Sequence, residues 1–265
     1  MTTGSDLVPS AVLAALTTRR LGRPYVLLSC CGSTSDEVAT RAAADAPEGL
    51  LVVTEQQTEG RGRRGHAWHS PAAENLYCSL LLRPALPARL ATPMTLLAGA
   101  ALAEALVALG FAPHLKWPND LLLDTPQGRR KVAGLLLEMA SAGDRVRHVV
   151  LGVGINVNSR ELPDEIGSIA TSLRLVCGRA QDRGRLLAAF LAALEPLYDD
   201  FLVNGPASGL DRWRRHACLG QSCRVHRLDG SIDGVATDVD DTGALLLRTA
   251  AGEIVPVCAG EVSWL

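Results

Sequence analysis

Residues 56–71, QQTEGRGRRGHAWHSP, constrain the chain more than any other stretch. Gly60, Gly62 and Gly65 stand among Arg61, Arg63 and Arg64, and no apolar residue follows until Ala67 and Trp68. Three glycines so close together let the backbone take φ > 0 and approach a ligand. Three guanidiniums on such a loop offer forked donors suited to phosphate or carboxylate. Strand-like runs flank the stretch, GLLVVT at 49–54 and NLYCSLLL at 75–82, so the loop belongs at the rim of a sheet. A solvated basic turn is the plain alternative. The flanking strands favour a binding loop held by a rigid scaffold.

At 265 residues the chain is long enough for one large domain and a small one. The formal net charge is −2, so there is no basic excess of the kind that marks nucleic-acid binding. Of 26 basic residues only Lys116 and Lys131 are lysines, which singles out two positions where an ammonium is wanted over a guanidinium. Seven cysteines (Cys30, Cys31, Cys78, Cys177, Cys218, Cys223 and Cys258) lack metal-ligand spacing and read as buried structural thiols of a reduced, cytoplasmic protein. Residues 1–10 lack the apolar core of a signal peptide. The run 94–109 comes nearest to a membrane span but carries Glu104, so no membrane is expected.

Taken in order, the pattern predicts a helix over 10–20 ending in Arg19 and Arg20, and a strand over 25–29. Ser33, Thr34 and Ser35 then precede a helix with acids in its first turn, and their hydroxyls serve either as caps or as ligand groups at a helix N-terminus. A long apolar helix is expected over 90–109, closed by Gly110. In HLKWPNDLLL (114–123), Pro118 implies an edge, bulge or kink, and the LLL run argues against a simple Asn-Asp turn. Segments 131–139 and 147–152 form a hairpin across Ala142, Gly143 and Asp144. In VVLGVGINVN the expected third glycine and helix are missing, which excludes a dinucleotide fingerprint; Gly152 and Gly154 instead admit a close neighbour. Residues 185–203 are helical with a kink at Pro196, and 210–216 are a further helical piece. From Leu219 the runs SCRVHRL, GVATDV, ALLLRT and EIVPV alternate with turn signals, a small all-β module of roughly fifty residues that docks on the main domain.

Together and in order, GRGRRG, KWPND, KVAG and GVGIN resemble the biotin protein ligase family, of the monofunctional type. The resemblance implies an α+β fold: a mixed, mainly antiparallel sheet carrying helices, similar to class II synthetases and the biotin–lipoate transferases. A small C-terminal Src-homology-3-like barrel follows, giving domains 1–217 and 218–265. It implies an enzyme that joins biotin to ATP as biotinoyl-5′-adenylate and passes biotin to a lysine of a biotin carboxyl carrier, such as that of an acyl-CoA carboxylase. The substrates are biotin and ATP, with Mg²⁺ accompanying the nucleotide and no dedicated metal site in the protein.

Carried onto this chain, the resemblance makes Lys131, Arg61, Arg63 and Asp120 catalytic. Biotin falls to Ser33, Thr34, Ser35, Gln57, Arg61, Gly62, Arg63, Lys131 and Gly134. ATP falls to Arg63, Arg64, Trp68, Lys116, Trp117, Asn119 and Asn156. Developing charge on phosphate suits preorganised cations such as Lys131 and the arginines. The chain has Ser35 where the family usually has Asn, which removes an amide. About twenty-five residues precede the first strand, too few for the DNA-binding winged helix of some members. No specific DNA partner is therefore expected, and self-association is at most a weak homodimer. Two other readings stand beside this one: a lipoate or octanoate transferase of related fold, and a nucleic-acid binder, which Glu55, Glu59 and Glu74 around the loop disfavour.

Overall fold

The computed structural model describes residues 5–265, so the signal-peptide reading of residues 1–10 falls partly outside the described residues. Seven strands make the main sheet: β1 (Tyr25–Leu28), β2 (Leu51–Thr54), β3 (Leu76–Leu82), β4 (His114–Lys116), β5 (Asp120–Thr125), β6 (Gly128–Ala142) and β7 (Arg145–Ile155). Their order is β1-β2-β3-β7-β6-β5-β4; β1 and β2 are parallel and every other neighbouring pair is antiparallel. This is the mixed, mainly antiparallel sheet expected.

Strands β2 and β3 are buried at every position because both faces of the sheet are covered. Side chains alternate with the period of two that strands impose. Val52, Leu81 and Val150 meet Val38 and Ala42 of helix α2 (Thr34–Ala43), while Leu51, Val53, Leu80 and Leu82 join the main core. That core includes α3 (Met94–Ala108) and the long C-terminal helix over Arg183–Asn204. Eleven of the fifteen α3 residues are buried, so its apolar character serves the protein interior.

Several boundaries differ from expectation for identifiable reasons. The first helix, α1, covers only Pro9–Ala15. Arg19 and Arg20 leave the helix because the buried Glu195 carboxylate accepts their backbone N–H groups and that of Leu21 at 2.8, 3.0 and 2.8 Å. Helix α3 starts at Met94 after Pro93, and Ala88–Leu90 form a separate 3₁₀ turn. KWPND is a tight turn after all: β4 pairs with β5 from His114↔Leu122 to Lys116↔Asp120, and the LLL run is the second arm of the hairpin at the sheet's edge. The 142–144 hairpin forms as expected, with Gly143 at φ 64°.

Two short helices, α4 (Asp164–Gly167) and α5 (Leu173–Cys177), precede α6 (Arg183–Asn204), which runs through Pro196, and α7 (Ala207–His216). The C-terminal module has β8 (Ser222–Arg227), β9 (Gly230–Val239), β10 (Leu245–Arg248), β11 (Ile254–Val257) and β12 (Glu261–Trp264), the last unforeseen in the sequence. They form an antiparallel sheet in the order β11-β10-β9-β8-β12. The module docks on the main domain, as expected, and the site of docking is the KWPND turn. Trp117 is buried with its Nε1 donating to the Gly243 carbonyl at 3.0 Å, and Cys218 N donates to Leu115 O at 2.8 Å. Cys78, Cys218 and Cys223 are buried as expected, but Cys30, Cys177 and Cys258 are exposed because they lie in loops or at an element's end.

Candidate active site

One cavity of about 860 Å³ lies over the middle of the main sheet, below the arginine loop and beside the C-terminal module. Its floor is glycine. Gly134 of β6 pairs with Gly154 of β7, and the indole of Trp68 lies on both. A Cβ on Gly154 would come within 2.5 Å of Trp68 Cε2, and one on Gly134 within 3.0 Å of Trp68 Cζ3. A Cβ on Gly152 would sit 3.0 Å from Ser35 Oγ. The close neighbours that the GVG glycines admit are therefore Trp68 and Ser35.

The first wall is the N-terminus of α2. Ser33 caps it, its Oγ accepting from Ser35 N at 3.3 Å. Thr34 N donates to Gln57 Oε1 at 2.9 Å, which joins the helix start to the loop. Ser79, buried in the otherwise apolar β3, meets Thr34 Oγ1 at 2.8 Å and Ser35 Oγ at 3.1 Å. The hydroxyls thus act as caps and also face the cavity.

Across the cavity, Lys131 Nζ lies 2.6 Å from Asp120 Oδ1, with its ammonium 5.3 Å from the centre of the Trp68 ring. Asn119 and Asn156 border the cavity, but their amide nitrogens donate to the Leu135 and Thr171 carbonyls at 2.9 and 3.0 Å. They hold backbone as well as offering their remaining atoms to a ligand. Lys116 borders the outer end of the cavity from the last position of β4.

The loop's arginines differ in their surroundings. Arg61 clasps Asp36 of α2 through two bonds of 2.6 Å. Arg63 Nη1 donates to Gly260 O and Arg64 Nη2 to His226 O, both at 3.2 Å, which ties the loop to the module. Burial, and then neighbouring Arg64, push the Arg63 guanidinium below its ordinary value, more than Asp120 and Glu261 offset. Among the described residues Arg63 forms no ion pair. A half-buried cation without a carboxylate partner is a seat for an anionic ligand.

Every residue named from the sequence borders this one cavity: Ser33, Thr34, Ser35, Gln57, Arg61, Gly62, Arg63, Arg64, Trp68, Lys116, Trp117, Asn119, Asp120, Lys131, Gly134 and Asn156.

A family model described as the Biotin/lipoate A/B protein ligase family matches residues 30–156, and one for the Biotin protein ligase C terminal domain matches residues 218–265. The bifunctional ligase/repressor BirA of Bacillus spizizenii is 37 % identical over 250 residues, spanning 93 % of this chain and 76 % of that protein. This chain belongs to the biotin protein ligase family. The biotin–[acetyl-CoA-carboxylase] ligase of Mycobacterium tuberculosis is 35 % identical over 238 residues, covering 87 % of this chain and 85 % of the relative. Among solved structures, the biotin protein ligase of Aquifex aeolicus in complex with biotin and ATP superposes with a TM-score of 0.76 at 28 % identity, covering 93 % of this chain and 98 % of the other.

The sequence reading missed several residues that this biotin protein ligase family member places at the cavity. Ser79 stands behind the first wall, bonded to Thr34 and Ser35, rather than on the cavity surface. Ile166 and Ile169, from the segment around α4, and His226, Glu261, Ser263 and Trp264 of the module border the cavity. These come from distant parts of the chain with no local motif. Tertiary contacts bring them in, among them the hydrogen bond from Lys131 N to Ile169 O at 2.9 Å and the pairing of β12 with β8.

Proposed function

We propose that the cavity holds biotin and ATP side by side and uses Lys131 and Arg63 to join them. The chain is an ATP-dependent biotin ligase. Its reaction has two steps. The carboxylate of biotin attacks the α-phosphorus and pyrophosphate leaves, giving the mixed anhydride biotinoyl-5′-adenylate. A carrier lysine, as the free amine, then attacks the acyl carbon; AMP leaves and the amine nitrogen loses a proton.

In this reading the hydroxyls of Ser33, Thr34 and Ser35, with Gln57 and the loop backbone at Gly62, hold the polar end of biotin, and Gly134 leaves room for it. Lys131 bridges carboxylate and phosphate, while Asp120 keeps its ammonium in place. Arg63 and Arg64 meet phosphate oxygens, and Arg61 braces the loop. Trp68, Lys116, Trp117, Asn119 and Asn156 surround the nucleotide. Asp120 would be the carboxylate available to a magnesium ion accompanying ATP, which would offset negative charge on the phosphates. Ser35 stands where the family usually has Asn, and its hydroxyl meets that of Ser79 at 3.1 Å.

The observation that carries this proposal is Arg63, half-buried and without an ion-pair partner among the described residues, at the edge of the cavity that contains the Lys131–Asp120 pair. Fixed cations around a developing negative charge are the main means of catalysing phosphoryl and adenylyl transfer. The proposal further includes residues 1–217 as the catalytic domain and 218–265 as the module, cytoplasmic residence, at most weak dimerisation, and no sequence-specific DNA binding, in line with the net charge of −2.

The test combines the purified chain, ATP, biotin and a biotin carboxyl carrier domain. Biotin should enter the carrier at one lysine and fail to enter when that lysine is arginine. Lipoate or octanoate labelling of the same carrier, in place of biotin, would replace this proposal with the related transferase reading.

A further inference from the structure

The three guanidiniums of the loop are each seated on protein atoms, and the seats lie on two different bodies. Arg61 grips the Asp36 carboxylate in the first turn of α2, with both bonds at 2.6 Å. Arg63 and Arg64 rest on the carbonyls of Gly260 and His226 in the C-terminal module, both at 3.2 Å. The loop therefore closes the cavity like a strap buckled at both ends. We propose that Asp36 is the buckle on the α2 side: a positioning residue that holds the arginine loop closed and so sets how fast biotinoyl-adenylate escapes. This inference rests on the function proposed above.

Magnitudes favour a gate over a structural tie. The Asp36 side chain is 55 % exposed and that of Arg61 38 %, so the pair faces solvent. Exposed ion pairs are weak fastenings, and bidentate geometry puts this one toward the upper end of their range. A loop that opens to admit substrates and release products is served by fastenings this weak. A buried pair of the kind Arg183 forms with Asp6 and Glu55 would hold it shut. Asp36 touches neither the glycine floor nor the Lys131–Asp120 pair, which leaves the chemistry to other residues.

Asp36 also lies at the positive end of α2, where any first-turn acid favours the helix. Glu37 shares that position but pairs with Arg41 on its own helix. It therefore separates a helix effect from a loop effect.

The experiment measures leakage of adenylate as biotin incorporated into a bystander protein, and adenylate synthesis as biotin-dependent ATP–pyrophosphate exchange. Wild type is compared with Asp36→Asn, Asp36→Glu and Glu37→Gln. Asp36→Asn should raise bystander labelling by about two- to fivefold, the range an exposed pair can supply, with the exchange rate kept. Asp36→Glu should restore most of the retention, and Glu37→Gln should leave leakage at the wild-type level. Raising the salt should bring wild type toward Asp36→Asn, because the pair is screened. Equal leakage from wild type and Asp36→Asn, or the same rise in Glu37→Gln, would overturn the inference while the ligase reading stands. A wild-type protein with no biotin-dependent exchange would instead remove the reading on which the inference rests.

Discussion

A lysine cannot be traded for an arginine where one small cation must reach both a carboxylate and a phosphate. Lys131 Nζ sits 2.6 Å from Asp120 and under the Trp68 ring, in a space bounded by the glycine floor. A planar guanidinium keeps the charge but needs a wider, flat seat. Lys131→Arg should lower biotin-dependent ATP–pyrophosphate exchange by about 10²–10³-fold, the usual cost of a displaced charge-stabilising donor, with the melting temperature little changed. Exchange within a few-fold of wild type would place Lys131 outside the chemistry. This residue was legible in the sequence because lysine is so scarce in the chain and because the KVAG context is specific. Asp36 and Ser79 were not. Their partners, Arg61 and the start of α2, lie 25 and 44 residues away in the chain, and nothing local records such a contact.

At the scale of elements, strands and helices followed from apolar periodicity, but their ends were decided by tertiary contacts. The segment after α1 shows this most clearly: an i,i+4 pattern favoured helix through Arg20, yet three backbone N–H groups turn to one carboxylate, Glu195. Burial raises that carboxyl, but the N–H groups of Leu21, Arg19 and Arg20 outweigh it, so the group titrates below its ordinary value in the fold. A depressed folded pKa means the contribution to stability is complete above the unfolded value, near 4.5, and is lost as pH falls through the lower folded value. Glu195→Gln should cost about 3 kcal/mol at neutral pH, because an amide serves three converging donors poorly. The gap between the two proteins in urea unfolding should narrow as the pH drops below the unfolded value. A gap that stays constant from pH 7 to pH 3 would contradict this account of the α1 boundary. Pro118 teaches the converse. It was legible as a break in a strand, but whether the break was a kink or a hairpin turn depended on β5 pairing back onto β4.

On the scale of the whole molecule, the architecture was legible only through the family resemblance that the motifs carry and the β module through the shift of pattern at Leu219, whereas no local signal recorded the module's share of the cavity. Removing the chain after Ala217 would uncover Trp117, deprive its indole of the Gly243 carbonyl, and take away the seats of Arg63 and Arg64. Such a truncation should melt at a clearly lower temperature and biotinylate a carrier poorly, as expected when a docked partner surface is lost. Full-rate carrier biotinylation by the truncated chain would make the module a bystander. The most direct test of the central claim is pyrophosphate exchange into ATP by the purified full-length chain, with biotin, lipoate and octanoate supplied separately. Exchange that depends on biotin, and falls sharply with the other two acids, is the predicted result. Exchange that is indifferent to biotin, or faster with lipoate or octanoate, would contradict the account.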